Sequence, residues 1–390
     1  MSPMIQSILD NDLYKFTMQQ AVRRLYPGAQ AEYELTDRGL TRFPKGLAKI
    51  AQKVIDGMAE LSLNPDQKTW LAEACPFFTP EYLNSLSSHA FDPSQVTLKQ
   101  EGSRISIKIK GNWSETILWE VPLMAIISET YFAMTGPDIP VREELRKKNR
   151  AKAEQLAANE VSFVDFGTRR RFSAENHENL IKDILTVSGH TLAGTSNVHL
   201  AQKFGITPVG TLAHEWIMFH AAPGGYPTAN AMAMDAWTKV YPNVLGIALT
   251  DTYTTDNFLK AFTKERAQVF AGVRQDSGDP IDFTRKLLAH YRGLNIDPSR
   301  KTIVFSDGLD VDRAVAIHEF CRGKIRDTYG IGTSLTNDVG VPPLNIVIKL
   351  CRCAPGPGQD WQPTVKLSDH PGKHTGEKKE ILRSLEELGL

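Results

Sequence analysis

The sequence predicts a two-part α/β protein: mixed helices and antiparallel strands first, then an α/β barrel or a distorted relative of one. Three observations carry this. The chain has 390 residues, beyond the ~250–300 at which one hydrophobic core stops growing. Residues 96–110 alternate apolar and polar around Gly102, the mark of an antiparallel hairpin. From Val161 onward a short apolar run, a small-residue turn and a helix recur, and parallel strands need such crossovers.

The elements follow in order. Asp10 to Tyr26 repeats apolar residues at helical spacing until Pro27-Gly28 stops it. Residues 31–35 alternate like a strand, and helices follow over 47–61 and 65–75. After the hairpin come an apolar helix from Glu120 to Met134 and a charged one from Val141 to Asn159. Strands are expected at 161–166, 207–209, 245–249, 269–273, 302–305, 326–329 and 346–350. Helices 175–185, 255–261, 281–291 and 310–320 lie between them. About seven such strands suit a (β/α) barrel better than a small doubly wound sheet. The Pro- and Gly-rich stretch 355–358, a strand at 365–367 and a helix from Glu377 read as a return segment outside the barrel.

Composition narrows the function. Lys and Arg number 45, as do Asp and Glu, so there is no net basic field for a nucleic acid. Hydrophobic residues at 41% suit a folded protein rather than a disordered one. The apolar run 121–134 is broken by Pro122, Ser128 and Glu129, so no membrane span is expected, and Met1 to Asp12 is mixed polar, so no signal peptide is expected either. The four cysteines make no disulfide framework, which fits a reducing cytoplasm.

Chemistry is expected in the turns after the strands, where barrels bind ligands. Gly167-Thr168-Arg169-Arg170-Arg171 can grip phosphates or a carboxylate, or be a solvated basic turn. Gly194-Thr195-Ser196-Asn197 suits an anion at a helix start, or a plain N-cap. In Gly210-Thr211-Leu212-Ala213-His214-Glu215, His214 can be a base, a metal ligand, a nucleophile or a structural histidine. Asp251 can bind ribose or a metal, or cap a helix. Arg274 suits a carboxylate or phosphate, while Asp276 and Asp279 suit ribose hydroxyls or Mg²⁺. Asp279-Pro280 also fits a helix start. Ser306-Asp307-Gly308 and Gly330-Ile331-Gly332-Thr333 read as a phosphate cradle. Structural turns share no common need for anion ligands, so the succession points to an anionic substrate.

Taken together, and in order, these motifs resemble those of bacterial nicotinate phosphoribosyltransferases. So do the opening Asp12-Leu13-Tyr14-Lys15-Phe16-Thr17-Met18 and the late Lys366-Leu367-Ser368-Asp369. The resemblance covers nearly the whole chain. It implies an irregular (β/α) barrel over 126–350, an N-terminal α/β sandwich domain over 1–125, and a segment 351–390 packing back on that domain. It implies that nicotinate, 5-phosphoribosyl 1-diphosphate, ATP and water give nicotinate mononucleotide, diphosphate, ADP and phosphate, a step of NAD biosynthesis. His214 matches the phosphohistidine. Tyr14, Arg169, Thr211 and Arg274 would contact nicotinate, with Tyr14 arriving from the other subunit of a homodimer that shares its active sites. Ser196, Asp251, Asp276, Asp279, Asp307, Gly308, Gly332 and Thr333 would hold the phosphoribosyl and diphosphate groups. Mg²⁺ would be the cofactor and ATP a co-substrate. The related nicotinamide-using enzymes carry Asp where this chain has Ser196, and a neutral residue there removes a repulsion against a carboxylate. Nicotinamide or quinolinate as substrate, and a non-catalytic barrel holding a sugar phosphate, are the competing readings.

Overall fold

A computed structural model describes residues 4–390. Two sheets organise them. The first is antiparallel and contains β1 (Gln30–Asp37), β2 (Val96–Glu101), β3 (Arg104–Asn112), β10 (Ile346–Ala354) and β11 (Gln362–Pro363), in the order β11-β10-β1-β3-β2. The second is parallel. Its strands are β4 (Phe163–Asp165), β5 (Leu192–Thr195), β6 (Ile247–Leu249), β7 (Gly272–Gln275), β8 (Thr302–Phe305) and β9 (Arg326–Ile331), in the order β5-β4-β9-β8-β7-β6. Helices cover it, among them Ala174–Ser188, Pro280–Gly293 and Val311–Cys321.

The parallel sheet is an incomplete barrel. The strand expected at 207–209 shrinks to one parallel bridge between Thr195 and Pro208. Pro208 has no N–H to extend a ladder. Beyond it the Thr211 hydroxyl reaches the Ile247 carbonyl of β6 at 3.5 Å, so a side chain spans the gap where backbone pairing stops.

One expected barrel strand belongs elsewhere. Residues 346–350 open β10, which pairs antiparallel with β1, Tyr33 opposite Leu350 and Asp37 opposite Ile346. Its burial alternates, as suits a sheet with one covered face. Its short apolar run alone could not decide between the sheets. β5 went unread because Gly194-Thr195 looked like the approach to a helix; that helix is Val198–Phe204, capped by the Asn197 side chain. Residues 264–269 are helical, so β7 starts later than expected. At 365–367 only a bridge from Lys366 to Thr375 forms.

Trp113–Thr135 is long and apolar enough to cross a membrane, but 78% of its window is buried within the protein. It is a core helix, apolar all round because protein surrounds it.

The two parts are stitched at the N-terminus. Asp10 accepts two hydrogen bonds from Arg171, at 2.8 and 2.9 Å, and one from Asn197 at 2.8 Å. Arg171 is buried in this pair and does not reach a barrel mouth. Removing one partner of such a pair leaves a charge in the core. Asp10→Ala is therefore expected to cost about 3–5 kcal/mol, read as a lower urea midpoint at unchanged slope. A cost under about 1 kcal/mol would show that the pair does not join the two parts.

Candidate active site

The strand ends of the parallel sheet and one edge of the antiparallel sheet enclose a cavity of about 520 Å³. That is within the usual range for a small-molecule site. Tyr14, Arg169, Ser196, Thr211, His214, Arg274, Asp276, Asp307, Gly308, Gly332 and Thr333 line it. Asp251 lies directly behind His214, fully buried. Asp279 lies outside. It is exposed and caps helix Pro280–Gly293 by accepting from the Ile281 and Asp282 amides, so its place is that of the helix start its sequence also allowed.

His214 is the first residue of helix His214–Gly224. Its Nε2 lies 2.8 Å from Asp251 Oδ1 and 3.5 Å from Asp276 Oδ2. A carboxylate accepts from Nε2–H, which puts the lone pair on Nδ1. Burial, and then the Lys366 ammonium, hold the His214 pKa down to about 4 despite both aspartates. Asp251 accepts from Ser277 Oγ at 2.8 Å and Ser368 Oγ at 3.1 Å, and pairs with Lys366 at 3.2 Å. Burial opposes its ionisation, but Lys366 and His214 outweigh burial and keep it well below the usual carboxylate range.

Glu215 takes no part in this. It turns away to bond Lys15, the Tyr33 hydroxyl at 3.1 Å and the Trp113 indole at 3.1 Å. Lys15 pairs with Glu120 as well. Together they hold the start of the His214 helix against the N-terminal part.

Tyr14 also lines the cavity. Its ring lies under the Arg169 guanidinium, 6.0 Å from the centroid. Tyr14 lines this cavity within the single chain described. The opening helix, Leu13–Leu25, is bound to the barrel here: the Leu13 amide donates to Ser196 O at 2.8 Å, and the Thr17 hydroxyl to Thr211 O at 2.6 Å. Arg274 donates to Leu212 O at 3.3 Å. The buried Tyr14 hydroxyl and Arg274 Nε have no partner among the described residues. Both residues line the cavity, so these donors are available to a ligand there.

Several lining residues escaped the sequence reading. Lys349 comes from β10, which was placed in the wrong sheet. Burial lowers its pKa to about 8 although Glu120 opposes this. Lys366 comes from the tail, whose residues 366–369 cross the ends of β6 and β7: the Leu367 amide donates to Thr252 O, and Asp369 accepts from Thr255. Its motif was noted, but nothing local said which side chain faces inward. Lys373 reaches in to pair with Asp307. Asp12 also lines the cavity.

A broken α/β barrel whose strand ends gather arginines, lysines, a buried histidine and aspartates defines an enzyme for an anionic, phosphorylated substrate. The chain matches the nicotinate phosphoribosyltransferase (NAPRTase) family over residues 161–388 and that family's N-terminal domain over residues 9–128. It is similar to the nicotinate phosphoribosyltransferase of Desulforapulum autotrophicum, 55% identical over 385 residues and 99% of each chain. It is also similar to that of Chromohalobacter salexigens, 46% identical over 96% of each. Among solved structures, the enzyme from Porphyromonas gingivalis superposes with a TM-score of 0.96 at 43% identity, covering 99% of this chain and 100% of that one. The enzyme from Vibrio cholerae gives 0.92 at 33% identity, covering 100% and 94%. The chain belongs to the nicotinate phosphoribosyltransferase family.

The electrostatics make a direct prediction. An NMR titration is expected to show His214 neutral from pH 8 down to about 5. Its folded pKa lies below the ordinary ~6.5, so the unfolded chain binds the proton first, and this group's contribution to stability falls as pH drops from about 6.5 toward about 4. A titration midpoint at 6.5 or above would contradict this environment.

Proposed function

We propose that this enzyme joins nicotinate to 5-phosphoribosyl 1-diphosphate and couples the step to ATP hydrolysis through a phosphorylated His214. The observation that carries the reading is the buried, neutral imidazole held by Asp251 through Nε2, which leaves Nδ1 as a nucleophile at a helix N-terminus. That end of a helix favours a phosphoryl group.

Nicotinate fits between Tyr14 and Arg274. Arg169 stacks at the aromatic face and Arg274 pairs with the carboxylate. Thr211 lies beside them. The ribose 5-phosphate fits the turns carrying Gly308, Gly332 and Thr333, where small residues let backbone amides approach. In the reaction the pyridine nitrogen bonds to C1 of the ribose as the C1–O bond to diphosphate breaks. Positive charge grows on the ribose, and the diphosphate leaves with its negative charge. Asp276, about a quarter exposed, faces the first; Lys349 and Lys366 face the second. Mg²⁺ would neutralise diphosphate charge when bound. Of the carboxylates lining the cavity, Asp276 and Asp307 would be its hard oxygen ligands. Asp251 is committed to His214, two serines and Lys366, so it serves to hold the histidine. The chain would act as a homodimer.

Mononucleotide formation from nicotinate, stimulated by ATP, is the test. Equal turnover of nicotinamide or quinolinate would replace the substrate, and no turnover of any would favour a sugar-phosphate binder. With γ-³²P-ATP the wild type is expected to take up label that His214→Ala does not. Equal labelling of both would remove the phosphohistidine. Arg274→Lys keeps a charge but loses the planar fork. Its KM for nicotinate is expected to rise tens-fold, as for a charged hydrogen bond worth on the order of 2–3 kcal/mol. An unchanged KM would sink that contact.

A further inference from the structure

Ser196 puts a neutral side chain where a carboxylate would repel nicotinate, yet the structure returns a carboxylate to the same place from another element. Ser196 Oγ lies 2.7 Å from Asp12 Oδ1. Asp12 lines the cavity and is only 2% exposed. It occupies the N-cap position of helix Leu13–Leu25 but makes no capping bond. Its side chain is turned toward the site instead.

A carboxylate there fixes the direction of the hydroxyl. While Asp12 is ionised it can only accept. Ser196 then spends its one proton on Asp12 and offers the ligand lone pairs, which a carboxylate repels. Protonating Asp12 reverses the chain: Asp12 donates to Ser196 Oγ, and Ser196 is free to donate to the ligand.

The surroundings favour that reversal. Arg169 Nε stands 3.9 Å from Asp12, and Arg169 Nη1 stands 3.6 Å from Glu120, so one guanidinium serves two carboxylates. Lys15 is already taken by Glu120 and Glu215. Behind Asp12, Asp165 on β4 is paired with His177, and Arg171 with Asp10. Tyr14 adds a phenol and no charge. Burial, opposed by Arg169 and reinforced by Asp165, raises the Asp12 pKa. An entering nicotinate would add another negative charge to this wall.

We propose that Asp12 is a specificity-determining residue: it takes up a proton when nicotinate binds and relays it through Ser196 as a hydrogen bond to the substrate carboxylate. This rests on the proposed placement of nicotinate between Tyr14 and Arg274 with Arg169 at its face, in the cavity that Ser196 also lines.

The test is the pH dependence of kcat/KM for each substrate from pH 6 to 9, in wild type and Asp12→Asn. In the wild type, kcat/KM for nicotinate is expected to fall about tenfold per pH unit above the Asp12 pKa, while kcat/KM for 5-phosphoribosyl 1-diphosphate does not follow. Asparagine donates permanently. Asp12→Asn is therefore expected to flatten the nicotinate profile, so that its advantage over wild type grows as the pH rises. Asp12→Ala should be poor throughout. A merely structural role cannot give a gain at alkaline pH. The proposal is overturned if the falling limb survives in Asp12→Asn, or if both substrates show the same limb. Lys349, a cavity residue whose pKa burial lowers to about 8, would then be the group to test next. Wild type that makes no nicotinate mononucleotide at any pH would instead remove the placement itself.

Discussion

The site depends on one buried carboxylate. Asp251, at the end of β6, holds four groups that arrive from three separate parts of the chain: His214, Ser277, and Lys366 with Ser368. A buried ion is costly unless it is paired and hydrogen-bonded on every side. Meeting that requirement draws a helix start, the turn after β7 and the C-terminal tail to one point. The same bonds fix the tautomer and direction of the imidazole. Structure and chemistry here have a common cause.

A second set of charges joins the cavity wall to the N-terminal part. Lys15 sits between Glu120 and Glu215, and Glu120 in turn faces Arg169. Glu215 anchors the His214 helix from behind while Arg169 sits over Tyr14. The antiparallel sheet is therefore part of the site: it supplies Lys349 directly, and Tyr33 through Glu215. Its strand β10 comes from late in the chain, so the domain order along the sequence is not the order in space.

What could be read in the sequence was what local pattern encodes. Turns after parallel strands carried polar ligands, and those turns do line the cavity at Arg169, His214, Arg274, Asp307 and Thr333. Periodicity placed Thr255–Ala261 and Thr302–Phe305 to the residue. What local pattern cannot encode is which member of a turn points inward. Arg169 faces the cavity and Arg171 the core; Asp276 faces the cavity and Asp279 a helix end. Contacts between distant segments were also hidden. Ser196 is 184 residues from the Asp12 it bonds. Burial shifts both groups, and the charged partners that act next, Lys366 on His214 and Arg169 on Asp12, could be named only once the fold brought them together.

The central claim is that Asp251 holds Nε2 of a neutral His214 so that Nδ1 accepts the phosphoryl group. The measurement that tests it most directly is the position of the phosphate on the ring, read by ³¹P–¹⁵N correlation in enzyme phosphorylated with ATP. The account predicts a phosphorus bonded to Nδ1, with Nε2 still protonated toward Asp251. Phosphate on Nε2 would mean that the Asp251 contact breaks during turnover, and would contradict the role assigned to it.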